Sequence, residues 1–292
     1  MAKILITGGT GLVGKKISKI LIEQNHEVVI LSRNPKNKQE FKWDLSSNYI
    51  DEKALLGTDY IIHLAGAGIA EKRWSEKRKQ LIIDSRIETA NLLFNKIIAL
   101  KIDLKGFISA SGIGYYGAIT SETIFEETAK AGTDFLGDVC HKWEKAALQF
   151  KNKNIPVTIL RMGIVLSKKG GALEKMKTPI ITPLGSGNQY LPWIHIDDLC
   201  EMFIQSITGN LVGVFNAVAP EHHTSKTFAS ALAKSIKKPY LGIGVPGFLL
   251  KLLFGEMAVI LLKGSRISIK KIEKNTAYSF RFPKLSKALH NL

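Results

Sequence analysis

Short apolar runs alternate with segments of helical periodicity along the first half of the chain. Residues 3–7 form an apolar run that ends at two glycines, which is typical of a buried parallel strand. Residues 12–24 repeat apolar side chains at the spacing of one helical face, and residues 26–32 predict a second strand. Further strands are predicted at 41–44, 59–65, 106–111 and 157–166, with helices after the strands at 59–65 and 106–111.

This alternation predicts an α/β fold, with a Rossmann-type doubly wound parallel sheet. After Leu166 the rhythm changes to glycine- and proline-rich loops. Helices are predicted at 197–207, near 227–236 and at 248–262, with a short strand soon after 209. We therefore expect a nucleotide-binding domain over 1–166, to which 191–208 return. A smaller C-terminal substrate or lid domain is expected over 167–190 and 209–292.

Composition narrows the class of protein. The chain has 292 residues, of which 45% are hydrophobic, enough for a sizeable core and too many for a disordered chain. Cys140 and Cys200 are too few for a disulfide scaffold or a cysteine zinc cluster, and no metal site is expected. No secretory signal is recognisable, and the apolar stretch 248–262 is too short to span a bilayer. We expect a cytoplasmic protein that does not insert in a membrane.

The net charge of +16 raises nucleic-acid binding as a possible function. However, only seven of the 41 basic residues are arginine, and the lysines are scattered and interleaved with acids. Such a pattern favours a solvated surface, and we expect no nucleic-acid partner. Where lysine is the ordinary cation, Arg33, Arg86 and Arg161 are candidates for planar, bidentate contacts.

Gly8, Gly11 and Gly14 stand between the first strand and the first helix, in G-x-x-G-x-x-G spacing. Gly8 permits a tight turn, Gly11 lets the backbone approach a pyrophosphate, and Gly14 lets the helix pack on the strand. The amides at the helix N-terminus are suited to bind the phosphates. The sequence therefore predicts a dinucleotide site.

The residues at the end of the second strand indicate which dinucleotide the site binds. An acidic residue there binds the ribose diol of NAD, but this chain has Ser32 and Arg33. A hydroxyl beside a guanidinium suits a 2′-phosphate, so NADP(H) is favoured, the alternative being a surface arginine unrelated to ligand. Asp44, after the third strand, is placed for the adenine side of the nucleotide or is a turn residue.

Several motifs occur together with the glycine loop: His63-Leu64-Ala65-Gly66, Ser109-Ala110-Ser111, GYYG at 114–117, Trp143-Glu144, and the segments 160–167, 170–173, 185–198 and 252–258. In this combination the chain resembles the extended short-chain dehydrogenase/reductases. Within these it resembles the NAD-dependent epimerase/dehydratase family, and its atypical subgroup of "epimerase family proteins", some labelled cell-division inhibitors. The resemblance covers essentially the whole chain, including a C-terminal segment of unknown function.

The resemblance implies NADP(H) as cofactor. Thr7 to Val13 would hold the pyrophosphate, and Ser32 with Arg33 the 2′-phosphate. Leu64 and Ala65 would line the adenosine side, and Arg86 matches a cofactor-side position. The implied cofactor site thus comprises Thr7, Gly8, Gly9, Thr10, Gly11, Leu12, Val13, Gly14, Ser32, Arg33, Asp44, Leu64, Ala65, Gly66 and Arg86.

The chain departs from the superfamily at its catalytic pair, Tyr-x-x-x-Lys on the helix after the fifth strand. Alignment on Glu144 places Leu136 at the tyrosine and Cys140 at the lysine. The one literal match, from Tyr49 to Lys53, lies before the fourth strand, and we interpret it as chance. The usual acid–base mechanism therefore does not carry over.

Three residues are candidates to replace this pair: Ser111, Tyr116 and His195. Tyr116, or its neighbour Tyr115, or His195 would donate a proton to a carbonyl, while Ser111 steadies the oxyanion. The alternatives are that Tyr116 packs in the core and that His195 hydrogen-bonds an aspartate of its own loop. We expect an NADP-dependent oxidoreductase or epimerase with an unknown small-molecule substrate and an undetermined oligomeric state. The alternative is a non-catalytic NADPH sensor with a protein partner.

Overall fold

The chain folds around a sheet of eight strands, flanked by helices on both faces. The structure is a computed structural model and describes residues 1–209 and 211–292. Its strands are β1 Lys3–Thr7, β2 Glu27–Ser32, β3 Glu40–Asp44, β4 Tyr49–Ile50, β5 Tyr60–His63, β6 Gly106–Gly112, β7 Ile124–Phe125, β8 Val157–Met162, β9 Ile164–Leu166, β10 Trp193–His195, β11 Gly213–Ala217 and β12 Arg266–Ile267.

The main sheet has the order β11-β8-β6-β5-β1-β2-β3-β4. Its described pairs are parallel except β3 with β4, which are antiparallel. Ile6 on β1 stands between Ile30 and Ile62, and all three side chains are buried. The predicted doubly wound α/β fold is confirmed. The chain reverses its direction of winding between β1 and β5, and such a switch point forms a crevice at the carboxyl ends of the strands.

Helices cover both faces because each presents an apolar stripe to the sheet. On one face α1 packs beside α5, and on the other α2 packs beside α3. The helices are α1 Leu12–Glu23, α2 Glu76–Ala99, α3 Phe135–Leu148, α4 Ala172–Met176, α5 Ile196–Ile207, α6 Ser225–Ser235, α7 Gly247–Phe254, α8 Val259–Leu262, α9 Lys270–Asn275 and α10 Leu285–Asn291. Short 3₁₀ turns occupy Glu52–Ala54, Ile113–Tyr116, Gln149–Lys153 and Gly255–Ala258.

Two predicted elements are each broken at a glycine. The strand predicted at 157–166 divides at Gly163 into β8 and β9, and β9 pairs with β10 in a separate two-stranded sheet. A Cβ at position 163 would stand 2.7 Å from the Pro192 carbonyl oxygen, so the backbone passes too close for a side chain there. The helix predicted at 248–262 is interrupted at Gly255, whose φ of 61° lies in the left-handed region.

The C-terminal part supplies both a second core and an edge of the main sheet. Helices α4, α6 and α10 contribute to a separate apolar cluster. The short strand predicted after 209 is β11, which pairs with β8 in the main sheet, whereas the sequence pattern assigns it to the smaller domain. The division into two domains stays a prediction, and Asn210 within it lies outside the described residues.

Neither a membrane span nor a metal cluster is found where the structure describes the chain. Over 1–209 and 211–292, no helix is long and apolar enough to cross a bilayer. Within the same residues, no three His, Cys, Asp or Glu side chains are grouped so that they could hold a metal ion.

Candidate functional site

The glycine loop between β1 and α1 is built by close backbone contacts. Gly8 has a φ of +69°, and a Cβ there would stand 2.9 Å from the Leu64 carbonyl. A Cβ at Gly14 would stand 2.4 Å from the Gly8 oxygen. Gly11 is the N-cap of α1 without a side-chain cap, and the first turn holds no acidic residue. Helix amides at such an end attract anions, so the loop fits a pyrophosphate.

Thr7 joins β1 to β5 through its buried hydroxyl. The Oγ1 accepts hydrogen bonds from the amides of Leu64 and Ala65, both at 3.2 Å. The hydroxyl proton is therefore directed to Nδ1 of His63, 2.8 Å away. Burial lowers the pKa of His63 to about 4, so this imidazole is neutral. The Thr7 side chain thus shapes the crevice from inside, and its predicted contact with the cofactor stays a prediction.

Ser32 and Arg33 stand at the carboxyl end of β2. The Ser32 Oγ accepts a hydrogen bond from the Asn34 amide at 3.3 Å. The exposed Arg33 guanidinium has no hydrogen bond or ion pair among residues 1–209 and 211–292, although the Arg33 carbonyl accepts one from Lys42. An unpaired guanidinium beside a hydroxyl fits a 2′-phosphate.

Asp44 forms a local turn at the end of β3. Its carboxylate accepts hydrogen bonds from the amide and the hydroxyl of Ser46, at 3.0 and 2.8 Å. These bonds hold the pKa of Asp44 below its usual value. This geometry agrees with the alternative interpretation of Asp44 as a turn residue, and its contact with the adenine stays a prediction.

Arg86 of α2 lies under the loop that follows β5. Its guanidinium is buried and donates to the carbonyls of Ala67 and Ile82, at 3.0 and 2.8 Å. It also lies over the Trp143 ring at 4.9 Å. A Cβ at Gly66 would be 3.0 Å from the guanidinium carbon, so a side chain there would crowd the Arg86 guanidinium. Burial lowers the pKa of Arg86 to about 10. Among the described residues, Arg86 makes no bidentate contact with a carboxylate, and its predicted place on the cofactor side stays a prediction.

Arg161 and Glu144 form a bidentate ion pair in the core. Nε and Nη2 of Arg161 donate to the two carboxylate oxygens at 2.8 and 2.9 Å, and the side chains are 3% and 6% exposed. The planar contact predicted for Arg161 is thereby confirmed. The Ser111 hydroxyl donates to the same carboxylate at 2.7 Å. Ser111 is therefore held by an internal acceptor, and its role as an oxyanion donor stays a prediction.

Tyr116 belongs to the same buried network. Its hydroxyl donates to Oδ1 of Asn216 at 2.6 Å and accepts from Arg161 at 3.0 Å. Burial raises the pKa of Tyr116 to about 12, which makes the phenol a poor acid. The partly exposed Tyr115 has the Arg161 guanidinium 3.3 Å from its ring centre. Tyr116 packs in the core, as our alternative held, and its catalytic role stays a prediction.

His195 is the N-cap residue of α5. Its Nδ1 accepts a hydrogen bond from the Asp197 amide at 3.1 Å, and its ring lies 3.8 Å from that of Phe282. Burial, together with the charges of Lys16 and Arg281, lowers the pKa of His195 to about 4. The backbone amide of Asp197 is thus the hydrogen-bond partner of His195, in agreement with the alternative that His195 bonds an aspartate of its own loop.

Leu136 and Cys140 of α3 lie against the turn that follows β6. A Cβ at Gly114 would be 3.3 Å from Leu136 Cβ and 3.6 Å from Cys140 Sγ. Burial raises the pKa of the Cys140 thiol to about 11, which fits a small buried filler. Tyr49 and Lys53, in contrast, lie at and just after β4, at the opposite edge of the sheet from β8.

Comparison with known sequences supplies the family. A model of the NAD dependent epimerase/dehydratase family matches residues 4–218, the part that contains the glycine loop and the eight-stranded sheet. The chain belongs to the NAD-dependent epimerase/dehydratase family. A second model, of a domain of unknown function named DUF1731, matches residues 245–292.

Relatives within the family extend over the whole chain. Epimerase family protein SSP1921 of Staphylococcus saprophyticus is 34% identical over 303 residues, covering 100% of this chain and 99% of its own. Epimerase family protein SDR39U1 of Mus musculus is 32% identical over 298 residues, with 99% of both chains covered. The crystal structure of human SDR39U1 (isoform 2) with NADPH superposes with a TM-score of 0.89 at 30% identity, covering 99% of this chain and 98% of that one. The predicted resemblance is confirmed.

Asn216 and Phe282 were missed by sequence reasoning. Asn216 bonds Tyr116, and Phe282 stacks on His195. Both lie far along the chain from their partners, and an isolated asparagine or phenylalanine carries no pattern that would indicate the contact.

Proposed function

We propose that this protein binds NADP(H) across the crevice at β1, β2 and β5, and serves as an oxidoreductase or epimerase for a small molecule. One observation supports NADP(H) as the cofactor. The exposed Arg33 guanidinium beside Ser32 has no partner among the described residues, and it stands at the position where an acid would bind the ribose of NAD. The family membership and the NADPH complex of human SDR39U1 support it.

Nicotinamide cofactors supply or accept a hydride when bound. The residues of this chain would bind and orient the nucleotide: the α1 amides at the pyrophosphate, Ser32 with Arg33 at the 2′-phosphate, and Leu64 with Ala65 along the adenosine. Leu64 and Ala65 suit this role since their amides are held by the Thr7 hydroxyl.

The test is a titration with NADPH and with NADH, followed by the fluorescence of the reduced nicotinamide. A charge-assisted contact contributes about 1.5–3 kcal/mol, so Arg33→Ala should weaken NADPH by roughly 10- to 100-fold and leave NADH nearly unchanged. Lys38→Ala removes one exposed charge from the same β2–β3 connection and serves as the control. Equal losses in the two variants, or no binding of either nucleotide to the wild type, would refute the proposal.

A second candidate is an NADPH sensor that does not turn over. It is favoured by the fact that the hydroxyls of Ser111 and Tyr116 and the Nδ1 atom of His195 all have hydrogen-bond partners inside the protein. Single-turnover mixing of the NADPH complex with a panel of aldehydes and ketones separates the two candidates. Oxidation of NADPH by one of them supports the enzyme, whereas binding without oxidation by any member supports the sensor.

A further inference from the structure

Helix α7 presents a face of apolar side chains to solvent. Phe248, Leu252 and Leu253 are 69%, 72% and 63% exposed, and Leu249 beside them is 38% exposed. At 3.6 residues per turn these four positions fall within about 140° of the helix circumference. On the remaining side Leu250 is buried against the protein. Folded domains rarely leave so continuous an apolar face uncovered, so this face is a candidate docking surface.

The loop that leads into α7 adds two further exposed apolar side chains, Leu241 and Ile243. Backbone hydrogen bonds fix this loop to a segment that runs parallel to it. The Leu241 amide donates to the Ile181 carbonyl at 3.0 Å, and the Val245 amide donates to the Pro183 carbonyl at 2.9 Å. The apolar surface is therefore held in place on both sides of the loop. We call the following side chains the α7 face: Leu241, Ile243, Phe248, Leu249, Leu252 and Leu253.

The charge around the α7 face is positive. Residues 226–263 contain six lysines and one acid, Glu256, which gives a net charge of +5. Glu256 is already in an ion pair with Lys79 of α2 at 2.6 Å. Lys251 and Lys263 are exposed, and neither pairs with an acid in residues 1–209 and 211–292. This segment thus departs from the rest of the chain, where lysines are interleaved with acids.

Both unpaired lysines lie beside the apolar side chains. Lys251 is about 60° from Phe248 around the helix axis, at the edge of the α7 face. Lys263 directly follows Leu262, and a Cβ at Gly247 would stand 3.5 Å from that leucine. Lys263 is therefore near the first turn of α7, and the two charges border the apolar surface.

An apolar face bordered by unpaired lysines complements a surface that is apolar inside and negatively charged outside. A bilayer that contains anionic phospholipids has this character. A second copy of the chain is a poorer match, since two α7 faces in contact would also bring their lysines together. Nucleic acid is a poorer match as well, because residues 226–263 contain no arginine and the α7 face offers one aromatic ring for stacking.

We infer that α7 lies on the surface of an anionic phospholipid bilayer, with the α7 face in the headgroup region and Lys251 and Lys263 at the lipid phosphates. Such a peripheral contact needs no helix that crosses the bilayer, and residues 1–209 and 211–292 contain none. It revises the expectation that the chain does not insert in a membrane, because the apolar run 248–262 does not show which of its side chains stay exposed. The inference is independent of the proposed function, since no residue assigned to the nucleotide belongs to the α7 face.

The test is cosedimentation with vesicles of phosphatidylcholine alone or of phosphatidylcholine mixed equally with phosphatidylglycerol. The wild type should bind the mixed vesicles at least about tenfold more tightly than the neutral ones, and added salt should weaken this binding. Phe248→Ser/Leu252→Ser should lower the affinity for mixed vesicles by at least about tenfold, because two large apolar side chains leave the contact. The control, Tyr49→Ser/Leu56→Ser, removes side chains that are 47% and 55% exposed at and after β4, and should stay within about twofold of the wild type.

A second pair of variants tests the charges. Lys251→Gln/Lys263→Gln should weaken binding to mixed vesicles by roughly tenfold at low salt. Lys151→Gln/Lys153→Gln makes the same change of net charge in the 3₁₀ turn before β8, and should change the affinity by less than about twofold. Circular dichroism should show that all four double variants are folded, and each should keep the NADPH affinity of the wild type.

No binding of the wild type to mixed vesicles, or equal affinity for mixed and neutral vesicles, would overturn the inference. Equal losses in Phe248→Ser/Leu252→Ser and Tyr49→Ser/Leu56→Ser would overturn it as well. Sedimentation velocity without lipid tests the other occupant. A concentration-dependent dimer that Phe248→Ser/Leu252→Ser abolishes, without vesicle binding, would overturn the inference in favour of a second copy of the chain. None of these results bears on the nucleotide titrations, so the proposed function fails or stands separately.

Discussion

The buried pair of Glu144 and Arg161 makes the sharpest prediction about stability. Glu144→Gln keeps the shape of the side chain and one oxygen acceptor, but it removes the charge that faces a guanidinium only 3% exposed. Removal of one partner of a buried pair costs about 3–5 kcal/mol, since the other charge stays buried without compensation. The retained acceptor places the expected loss at the lower end, at about 3 kcal/mol of the free energy of unfolding.

The assay is equilibrium unfolding in urea, with Asp138→Asn as a matched control on the same helix. Asp138 pairs with Lys142 at 2.7 Å, but these side chains are 44% and 46% exposed. An exposed pair contributes about 0–1 kcal/mol, so the control should change stability by less than 1 kcal/mol on that scale. Similar losses in the two variants, or a loss below about 1 kcal/mol for Glu144→Gln, would refute the reasoning from burial.

Two further predictions concern the crevice. Gly14→Ala places a Cβ 2.4 Å from the Gly8 oxygen, so we expect a loss of about 1–3 kcal/mol in the free energy of unfolding and weaker NADPH binding. Gly112→Ala, whose Cβ would have its nearest neighbour at 3.7 Å, should be tolerated. Thermal unfolding and NADPH titration of the two variants test this difference. The folded-state pKa of His63, about 4, lies below the unfolded value of about 6.5, so the unfolded chain takes up a proton at this residue before the folded protein does. The contribution of the neutral His63 to the free energy of unfolding is therefore complete above pH 6.5 and is lost as the pH falls towards 4. Urea unfolding at pH 7 and pH 5 should show that His63→Gln loses less stability between these pH values than the wild type, and an equal loss would contradict the assignment.

The sheet could be predicted from the sequence because each central strand is buried on both faces. Such strands appear as continuous apolar runs, and glycines lie at or just after the ends of β1, β5 and β6, so these strands and β2 are predicted to within about two residues. The division of the predicted strand 157–166 was not foreseen, since it depends on the Pro192 carbonyl, which is distant in sequence. The place of β11 at the sheet edge likewise depends on its pairing with β8.

The candidate site likewise consists of a part that local sequence predicts and a part that only the fold brings together. The glycine loop and the end of β2 are local motifs, so their backbone geometry follows from adjacent residues. The hydrogen-bond partners of Ser111 and Tyr116 are not local, and only the fold brings Glu144 and Asn216 to them. The hydrogen bond of His195 to the Asp197 amide is local, whereas its ring contact with Phe282 depends on the fold. The scarcity of arginine was the one signal in the sequence for the buried pair at Arg161.

The most direct test of the cofactor assignment is a crystal structure of the protein with NADPH. We predict that the pyrophosphate lies on the amides at the start of α1, and that the 2′-phosphate is within hydrogen-bond distance of the Ser32 hydroxyl and the Arg33 guanidinium. A 2′-phosphate directed into solvent away from Arg33, or a nucleotide bound outside the crevice, would contradict the account.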